Sequence, residues 1–427
     1  MNKDLQIILD NLIGIIYEDK KSTDLINENA KKTQNLAYIS KVCYGVLENK
    51  IYIDYMIGKL SKTKLKKIHK NILTILEIGI YNLHFLDKKD YAIVNELVDL
   101  AKKTNKRSAG FVNGILRNFI RREKEIAKIK ESDDYKSLSI RYSTPIEIID
   151  YLRESYDYEY IKNFLRAINT EAELGIRVNK LKTNKDELRK ILEEKGYKLK
   201  ESKISPNAFK VANPSGLVGL DEFKKGLFTI QSEASMKAVE VLDPKKDNKI
   251  LDLCAAPGTK TSYIGEYTEN GAEIVANDIS SNKNQLINEN ISRLGLKNIS
   301  LTNYDASILV DEFVGKFDYV LCDLPCSGLG VMGRKPEIRY NRTIKDIKDL
   351  ANLQRQILSK ATSYLKKGGS LVYSTCTLGH LENTDNFSYL EKRDDLELIP
   401  IAGEDYLEFE NFSDQTDVFF VGKFKKI

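Results

Sequence analysis

Two cysteines, Cys326 and Cys376, have the residue type and the setting for covalent chemistry in this chain of 427 residues. Cys326 follows Asp-Leu-Pro at the end of a predicted strand and precedes a flexible Ser-Gly-Leu-Gly segment, and Cys376 closes the next predicted strand. A junction between a strand and a helix can lower the pKa of a thiol and supply a nucleophilic thiolate. Because the ends of neighbouring strands meet at one edge of a sheet, we expect both thiols in one crevice.

A buried cysteine is usually a small hydrophobic residue, and we interpret Cys43, Cys254 and Cys322 in this way. For Cys326 or Cys376 taken alone, that explanation is as good as a chemical one. Beside a methyl donor, however, two thiols suit the methylation of carbon 5 of a pyrimidine. A thiolate that adds to carbon 6 makes carbon 5 nucleophilic, and the proton on carbon 5 must then leave so that the enzyme is released.

A methyl-donor signature precedes both thiols, in the segment 251–260 with the sequence Leu-Asp-Leu-Cys-Ala-Ala-Pro-Gly-Thr-Lys. It predicts a tight turn from a strand into a helix, where Gly258 lets the backbone approach a ligand closely. The helix N-terminus favours a carboxylate, here the methionyl end of S-adenosyl-L-methionine. Asp278 and Asp305 end the next two strands, where they could bind the ribose hydroxyls and the adenine amino group. A generic nucleotide-binding fold with capping aspartates is the alternative. The predicted cofactor-binding residues are Cys254, Ala255, Ala256, Pro257, Gly258, Thr259, Lys260, Asp278, Asp305 and Asp323.

Three regions of the chain must position these residues, so the predicted fold class is multidomain. Residues 1–130 have apolar residues at helical spacing without strand-like alternation, which predicts an all-α bundle. Residues 131–235 mix short strands and helices and predict a small α+β connecting domain. Residues 236–427 alternate strands with helices, which predicts a Rossmann-like α/β domain with its ligand at the carboxyl ends of the strands.

The net charge of +5 is unevenly distributed along the chain. Residues 1–130 carry +10 and the remainder carries −5, with positive charge concentrated in the segment 102–107 and at Arg117, Arg121 and Arg122. A basic module joined to a slightly acidic one suggests that the first part binds a polyanion such as RNA. A solvated, lysine-rich helical surface explains this composition equally well.

Composition and motifs speak against several classes of protein. No apolar run reaches the ~18 residues of a membrane span, and the N-terminus lacks the pattern of a signal peptide. Five cysteines, an odd number, are most simply free thiols in a reducing cytoplasm. No CxxC motif or Cys/His cluster suggests a metal. We therefore expect a cytoplasmic monomer without membrane or metal partners.

These motifs resemble those of the RNA cytosine-5 methyltransferases, and more closely the bacterial RsmB (Sun/Fmu) type, which modifies 16S ribosomal RNA. The resemblance covers nearly the whole chain. The basic helical region resembles a NusB-type RNA-binding domain, most clearly in the segments 94–98 and 111–117. The segment 226–235 resembles the start of the family's catalytic domain, and the segment 417–424 resembles its closing strands.

The resemblance implies an S-adenosyl-L-methionine-dependent methyltransferase that acts on carbon 5 of a cytosine in 16S ribosomal RNA. By analogy, Cys376 is the nucleophile, Cys326 helps to eliminate the product, and Asp323 binds the N3/N4 edge of the cytosine. Lys260 completes the predicted catalytic set. Two departures could alter the shape of the pocket without removing a reactive group: position 259 is Thr where the family usually has Gly, and position 324 is Leu where it usually has Ala.

Two other functions compete with this one. An amino- or oxygen-methyltransferase needs no thiol, and enzymes that methylate exocyclic amines typically have Asn/Asp-Pro-Pro-Tyr/Phe where this chain has Asp-Leu-Pro-Cys at 323–326. A non-catalytic RNA-binding or antitermination protein would need only the helical region, and the intact cofactor motif with both thiols speaks against it. A labelled methyl group separates the three functions. Label on carbon 5 of cytosine indicates the cytosine-5 methyltransferase, label on another atom indicates the amino- or oxygen-methyltransferase, and no label indicates the non-catalytic protein.

Overall fold

The computed structural model describes residues 3–30, 33–86, 91–129, 132, 134–170 and 173–427. The chain divides into two compact units. We call them the helical unit, which contains Met1–Asn169 and Met332–Thr343, and the sheet unit, which contains Thr170–Val331 and Ile344–Ile427. The domain boundaries expected after residues 130 and 235 stay predictions.

The helical unit is an all-α bundle, as the sequence predicts. Apolar residues at helical spacing, such as Leu5, Ile8 and Leu12 in the first helix, are buried in one continuous core. Its helices up to residue 169 are α1 Lys3–Tyr17, α2 Ser22–Ala30, α3 Leu36–Leu60, α4 Lys70–His84, α5 Tyr91–Thr104, α6 Ala109–Ile126, α7 Tyr135–Arg141, α8 Ile146–Leu152 and α9 Tyr158–Ala167.

The segment Met332–Thr343 belongs to the helical unit although it lies far along the chain from the other helices. Arg339 in this segment is buried and donates hydrogen bonds from Nη1 to the backbone carbonyl oxygens of Glu48, Tyr142 and Ser143. A buried guanidinium is stable only when it is hydrogen-bonded in this way, so these carbonyl groups account for the position of the segment.

A small antiparallel sheet begins the sheet unit and forms the α+β part that the sequence predicts. Ile176, Leu188 and Phe209 belong to its core. Its elements are β1 Leu174–Val178, α10 Lys185–Glu194, β2 Leu199–Glu201, β3 Ala208–Val211, α11 Asp221–Lys224 and β4 Phe228–Ile230. The strand order is β2-β3-β1-β4.

A larger sheet of eight strands, flanked by helices, completes the sheet unit. The elements from residue 233 onward are α12 Glu233–Leu242, β5 Lys249–Asp252, α13 Thr259–Tyr267, β6 Glu273–Asn277, α14 Asn284–Leu294, β7 Ile299–Thr302, β8 Phe317–Asp323, α15 Ile338–Asn341 (in the helical unit), α16 Ile344–Tyr364, β9 Leu365–Thr375, α17 Thr384–Glu391, β10 Leu396–Leu398, β11 Tyr406–Phe409 and β12 Phe419–Lys426. The strand order is β10-β12-β9-β8-β5-β6-β7, with β11 paired to β12. Strands β5 to β9 pair in parallel and the last three strands pair antiparallel.

Consecutive residues of the central strands enter cores on opposite faces of this sheet. Leu251 and Val320 belong to one core, whereas their neighbours Ile250 and Leu321 belong to the other. Side chains alternate along a strand, and a parallel sheet covered on both faces therefore requires continuous apolar runs. The predicted α/β domain is confirmed in this form.

Candidate active site at the carboxyl edge of the large sheet

The predicted site residues follow the carboxyl ends of neighbouring parallel strands. Because β7, β6, β5, β8 and β9 are adjacent and parallel, their carboxyl ends lie along one edge of the sheet in that order. The residues that follow these ends are Asp305, Asp278, the turn 253–258, the segment 324–326 and Cys376. The topology thus places all of the predicted site at a single edge.

The turn after β5 brings the backbone close to α14 and starts α13. Gly258 adopts a left-handed conformation with φ of +93°, and a Cβ atom there would lie 3.2 Å from the Ile287 side chain. Only glycine takes this conformation without strain. The turn closes with a hydrogen bond from the Gly258 N–H to the Ala255 carbonyl at 2.7 Å. The first amides of α13 follow directly, as an anion-binding turn requires.

Asp278 is bonded to that turn as well as to its own loop. Its Oδ2 accepts the N–H of Ala256 at 3.1 Å, and its Oδ1 accepts the N–H of Ser280 at 3.0 Å and the ammonium of Lys283 at 3.2 Å. The carboxylate therefore fixes the turn geometry and keeps lone pairs for further donors. Asp305 lies after β7, where the N–H and hydroxyl of Ser307 donate to it and lower its pKa.

Asp252, the last residue of β5, has an unsatisfied buried oxygen at this edge. Its Oδ2 accepts the hydroxyl of Thr261 at 2.6 Å, but its Oδ1 finds no donor among the described residues. Burial is the main cause that raises its pKa to about 7. Native structures rarely leave such an atom unsatisfied, and a bound polar group would resolve it. The edge therefore fits a polar cofactor.

Lys260 and Asp323 form an ion pair between α13 and the end of β8. The Lys260 Nζ lies 2.6 Å from Asp323 Oδ2, and Ser374 on β9 donates its hydroxyl to Asp323 Oδ1 at 2.9 Å. Asp323 and Ser374 face each other in the β8–β9 register. Lys260 is buried, and Asp323 is half-buried. One carboxylate is therefore oriented from both sides while part of it stays accessible.

The two thiols lie next to each other. Cys326 Sγ is 3.3 Å from Cys376 Sγ, and both residues are half-buried. The hydrogen bond with Cys376 is the largest cause that raises the pKa of the Cys326 thiol, followed by burial and by the charges of Cys376 and Glu382. Cys326 therefore holds its proton more tightly than an ordinary cysteine. The thiols of Cys254 and Cys322 also have raised pKa values, mainly because of burial.

Sequence reasoning missed the residues that hold these loops. Asn277 bridges three strand ends, since it donates to the carbonyl oxygens of Leu253 and Tyr304 and accepts the Tyr304 N–H. Arg177 of the small sheet is fully buried and donates to the Thr259 carbonyl at 2.8 Å. Asn277 precedes Asp278 directly, which was a usable signal, whereas nothing near Arg177 in the sequence pointed to this site.

Among the residues that the structure describes, no group of three or more His, Cys, Asp or Glu side chains is arranged to hold a metal ion. Across the same ranges, every helix is too short or too polar to cross a bilayer.

An α/β unit with this strand-end site and a preceding helical bundle is the architecture of a methyltransferase that carries an accessory domain. Family models match the chain in three places: 16S rRNA methyltransferase RsmB/F at residues 239–425, the NusB family at 5–121, and the RsmF/B-like ferredoxin-like domain at 145–217. A probable ribosomal RNA small subunit methyltransferase B of Bacillus subtilis is 33% identical over 89% of this chain and 86% of its own length. The chain belongs to the RsmB/F family of methyltransferases, and it is an enzyme of that class.

Other relatives agree with this assignment. Ribosomal RNA small subunit methyltransferase B of Escherichia coli is 29% identical over 91% of this chain and 90% of its own length. The crystal structure of PH0851 aligns with a TM-score of 0.81 and 25% identity, over 99% of this chain and 98% of that one. NSun6 from Pyrococcus horikoshii with SFG aligns with a TM-score of 0.61 and 27% identity, over 66% of this chain and 98% of that one.

Proposed function

We propose that this chain methylates carbon 5 of a cytosine in 16S ribosomal RNA with S-adenosyl-L-methionine, through a covalent bond between Cys376 and carbon 6. The names of its family and relatives support ribosomal RNA as the substrate. The observation that carries the proposal is the 3.3 Å separation of the two thiols at the ends of adjacent strands. An enzyme that methylates an amine or a hydroxyl would have no use for this pair.

The strand-end residues would hold the cofactor, which supplies an electrophilic methyl group when it is bound. The turn 254–260 and the first amides of α13 suit its carboxylate, and Asp278 suits its ribose hydroxyls. Asp305 is placed one strand further along the same edge. The unsatisfied oxygen of Asp252 supports a polar ligand here. The NSun6 structure, which contains the S-adenosylmethionine analogue SFG, supports the same cofactor class.

Cys376 and Asp323 would act directly on the cytosine. The Cys376 thiolate gives its electron pair to carbon 6, and the electrons of the carbon 5–carbon 6 double bond become available at carbon 5 for the methyl group. A base then removes the carbon 5 proton, the double bond re-forms, and Cys376 leaves as a thiolate. Asp323, held by Lys260 and Ser374, would accept a hydrogen bond from the cytosine amino group.

Cys326 would be that base, and its contact with Cys376 would set the timing. In the resting enzyme the bond to Cys376 is the main cause that raises the pKa of the Cys326 thiol, so its sulfur keeps the proton. Once Cys376 is bonded to carbon 6, it is no longer a thiolate partner for Cys326. The pKa of Cys326 therefore falls at the stage when a proton must leave carbon 5.

The helical unit would supply affinity for RNA. Its NusB-family match and its excess of positive charge support this role. We further propose that the protein acts as a cytoplasmic monomer, which light scattering of the purified full chain would test.

The experiment that tests the proposal uses the full chain, unmodified 16S ribosomal RNA and cofactor with a labelled methyl group. We expect 5-methylcytidine as the labelled nucleoside. The Cys376→Ala variant should give neither product nor covalent adduct. The Cys326→Ala variant should methylate and then stall as a protein–RNA adduct that survives denaturing electrophoresis. The matched control is Cys43→Ala, a thiol of the helical bundle, which should turn over normally.

Three outcomes would contradict the proposal. Label on an exocyclic nitrogen or a ribose oxygen would select the other class of methyltransferase. A stalled adduct with Cys376→Ala in place of Cys326→Ala would reverse the roles of the thiols. Normal turnover with both cysteines replaced would end the thiol mechanism.

A further inference from the structure

Two adjacent polar residues between β9 and α17, Glu382 and Asn383, are almost completely buried, with exposed fractions of 0% and 2%. We call residues 324–331 the Cys326 loop and residues 375–379 the Cys376 segment. Glu382 is hydrogen-bonded to the Cys326 loop, and Asn383 is hydrogen-bonded to the Cys376 segment. Buried polar groups persist where their hydrogen bonds are made, so these contacts determine the local structure.

Glu382 holds the Cys326 loop. Its Oε1 accepts the N–H of Ser327 at 2.8 Å and the amide of Gln354 on α16 at 2.9 Å, and its Oε2 accepts the Ser327 hydroxyl. Ser327 directly follows Cys326. Gln354 also donates to the carbonyl of Pro325, so the residues on both sides of Cys326 are fixed by this pair.

Asn383 holds the Cys376 segment in the same manner. Its Oδ1 accepts the hydroxyl of Thr375 at 2.5 Å, and its Nδ2 donates to the carbonyl of Thr377 at 3.1 Å. These are the residues on either side of Cys376. The residues on both sides of this thiol are therefore hydrogen-bonded to one side-chain amide.

A direct contact joins the two fixed segments. The hydroxyls of Ser327 and Thr377, each one residue after a thiol, are 2.6 Å apart. Gly330 packs so tightly on the Cys376 segment that a Cβ there would lie 2.8 Å from the Cys376 carbonyl oxygen. The 3.3 Å separation of the thiols is the result of this packing.

We propose that Glu382 and Asn383 are positioning residues for the methyl transfer, which together hold the two thiol-bearing segments at reacting distance. The inference rests on the proposed function, because the spacing matters only if both thiols act on one base. Misplacing a reacting group by about 1 Å can cost about 100-fold in rate. A pair of side chains that fixes both loops therefore affects the reaction through the position of the thiols, although neither touches the substrate.

The charge of Glu382 adds an effect that hydrogen bonding alone would not give. Titratable groups that interact with Cys326 include Cys376, Glu382 and Tyr373. The negative charge of Glu382 contributes to raising the pKa of the Cys326 thiol. Cys326, once deprotonated, is a stronger base for that reason. Removing the charge should lower this pKa and so move the pH at which the adduct is released.

The Glu382→Gln variant separates the effect of the Glu382 charge from the effect of its hydrogen bonds. An amide oxygen can still accept the Ser327 N–H and the Gln354 amide, and its NH2 can donate to the Ser327 hydroxyl, which in turn can donate to Thr377. This change therefore keeps the bonds and removes only the charge. Glu382→Ala and Asn383→Ala instead remove the bonds. The matched control is Glu391→Gln, which makes the same charge change at an exposed position of α17.

The experiment measures the rate of covalent adduct formation and the pH profile of adduct release, with unmodified 16S ribosomal RNA and labelled cofactor. For Glu382→Gln we expect adduct formation within about twofold of wild type and a rising pH limb of release shifted to lower pH. For Asn383→Ala we expect adduct formation to fall by about 100-fold with unchanged cofactor affinity. Glu382→Ala should show both defects. Glu391→Gln should match wild type.

Failure of this inference is distinguishable from failure of the proposed function. If Cys376→Ala still turns over, the thiol mechanism itself is wrong. If Cys376→Ala is inactive but the three Glu382 and Asn383 variants keep wild-type adduct rates and pH profiles, the positioning role is wrong. Melting curves would show whether the alanine variants fold. If they do not, the isosteric Glu382→Gln variant still gives a test. A rising pH limb of adduct release that is not shifted in this variant would overturn the role of the Glu382 charge.

Discussion

The Lys260 ammonium lies 2.6 Å from the Asp323 carboxylate, and this ion pair connects the helix α13 to the strand β8, which leads to Cys326. Lys260 is the second residue of α13, so its position depends on where the turn 253–258 starts that helix. A change in the turn would therefore move the Lys260 ammonium relative to Asp323. Under the proposed function, binding of the cofactor at the turn and orientation of the cytosine by Asp323 would be coupled through this contact.

Replacing Lys260 with Met should reduce catalysis, because Asp323 would lose its charged donor and keep the Ser374 hydroxyl. The loss of one charge-assisted hydrogen bond, about 1.5–3 kcal/mol, corresponds to roughly a 10- to 100-fold decrease in kcat. Steady-state kinetics with labelled cofactor measures it. The control is Lys366→Met, which breaks a similar pair with Asp318 at the opposite edge of the sheet. Equal rates for both variants would show that the Lys260 pair has no part in the reaction.

Asp278→Ala should weaken the binding of S-adenosyl-L-methionine. We propose that this acid, which follows β6, binds the ribose hydroxyls, and removing each charge-assisted hydrogen bond costs about 1.5–3 kcal/mol. Part of the lost affinity comes from the turn, because the Ala256 N–H would no longer donate a hydrogen bond to Asp278. Calorimetry with the full chain measures the affinity. The matched control is Asp318→Ala, because Asp318, like Asp278, accepts hydrogen bonds from a backbone N–H and from a lysine. Unchanged affinity for Asp278→Ala would reject this site.

The sequence predicted the parts of this site that depend on strand order alone. Apolar runs that alternate with helices placed Asp278, Asp305 and Cys376 at strand ends, and parallel pairing then brings strand ends together. The partners of these residues could not be predicted in the same way. Ser374 reaches Asp323 only because of the β8–β9 register, and a shift of one residue would point it to the other face.

Other features were beyond sequence reasoning because they depend on distant contacts. The strand β11, Tyr406–Phe409, is only half-buried throughout and pairs with β12 alone, so it lacks an alternating pattern. Arg339 resembles a surface residue in sequence, yet it is buried against carbonyl groups from far earlier in the chain. Glu382 and Asn383 likewise resemble ordinary surface residues in sequence, and only the folded arrangement of the two loops shows what they hold.

Replacing the exposed basic residues of α5 and of the turn after it should weaken binding to RNA. The segment 102–107 contains three lysines and one arginine, all exposed. Changing all four to alanine should lower the slope of log affinity against log salt by about 0.7–0.9 for each phosphate that the variant no longer neutralises. A salt titration with 16S ribosomal RNA measures the slope. Cofactor affinity, determined in parallel, should stay unchanged, and an unaltered salt slope would place the RNA-binding surface elsewhere.

Asp252 should make the stability of the protein depend on pH in a predictable direction. Its pKa is raised from 3.8 to about 7 by burial, so the folded protein keeps this proton while the unfolded chain loses it. Below about pH 4 the titration of Asp252 therefore does not change the free energy of unfolding. As the pH rises from about 4 towards 7, it lowers the free energy of unfolding by about 1.4 kcal/mol per pH unit. Asp252→Asn removes the titration and keeps the shape. The melting temperature of this variant minus that of wild type should therefore be larger at pH 8 than at pH 5. Asp318→Asn should differ from wild type by the same amount at pH 5 and pH 8, because lysine and backbone donors lower the pKa of Asp318 and keep its titration below about pH 4. A difference between Asp252→Asn and wild type that does not change with pH would mean that Asp252 is ionised in the folded protein.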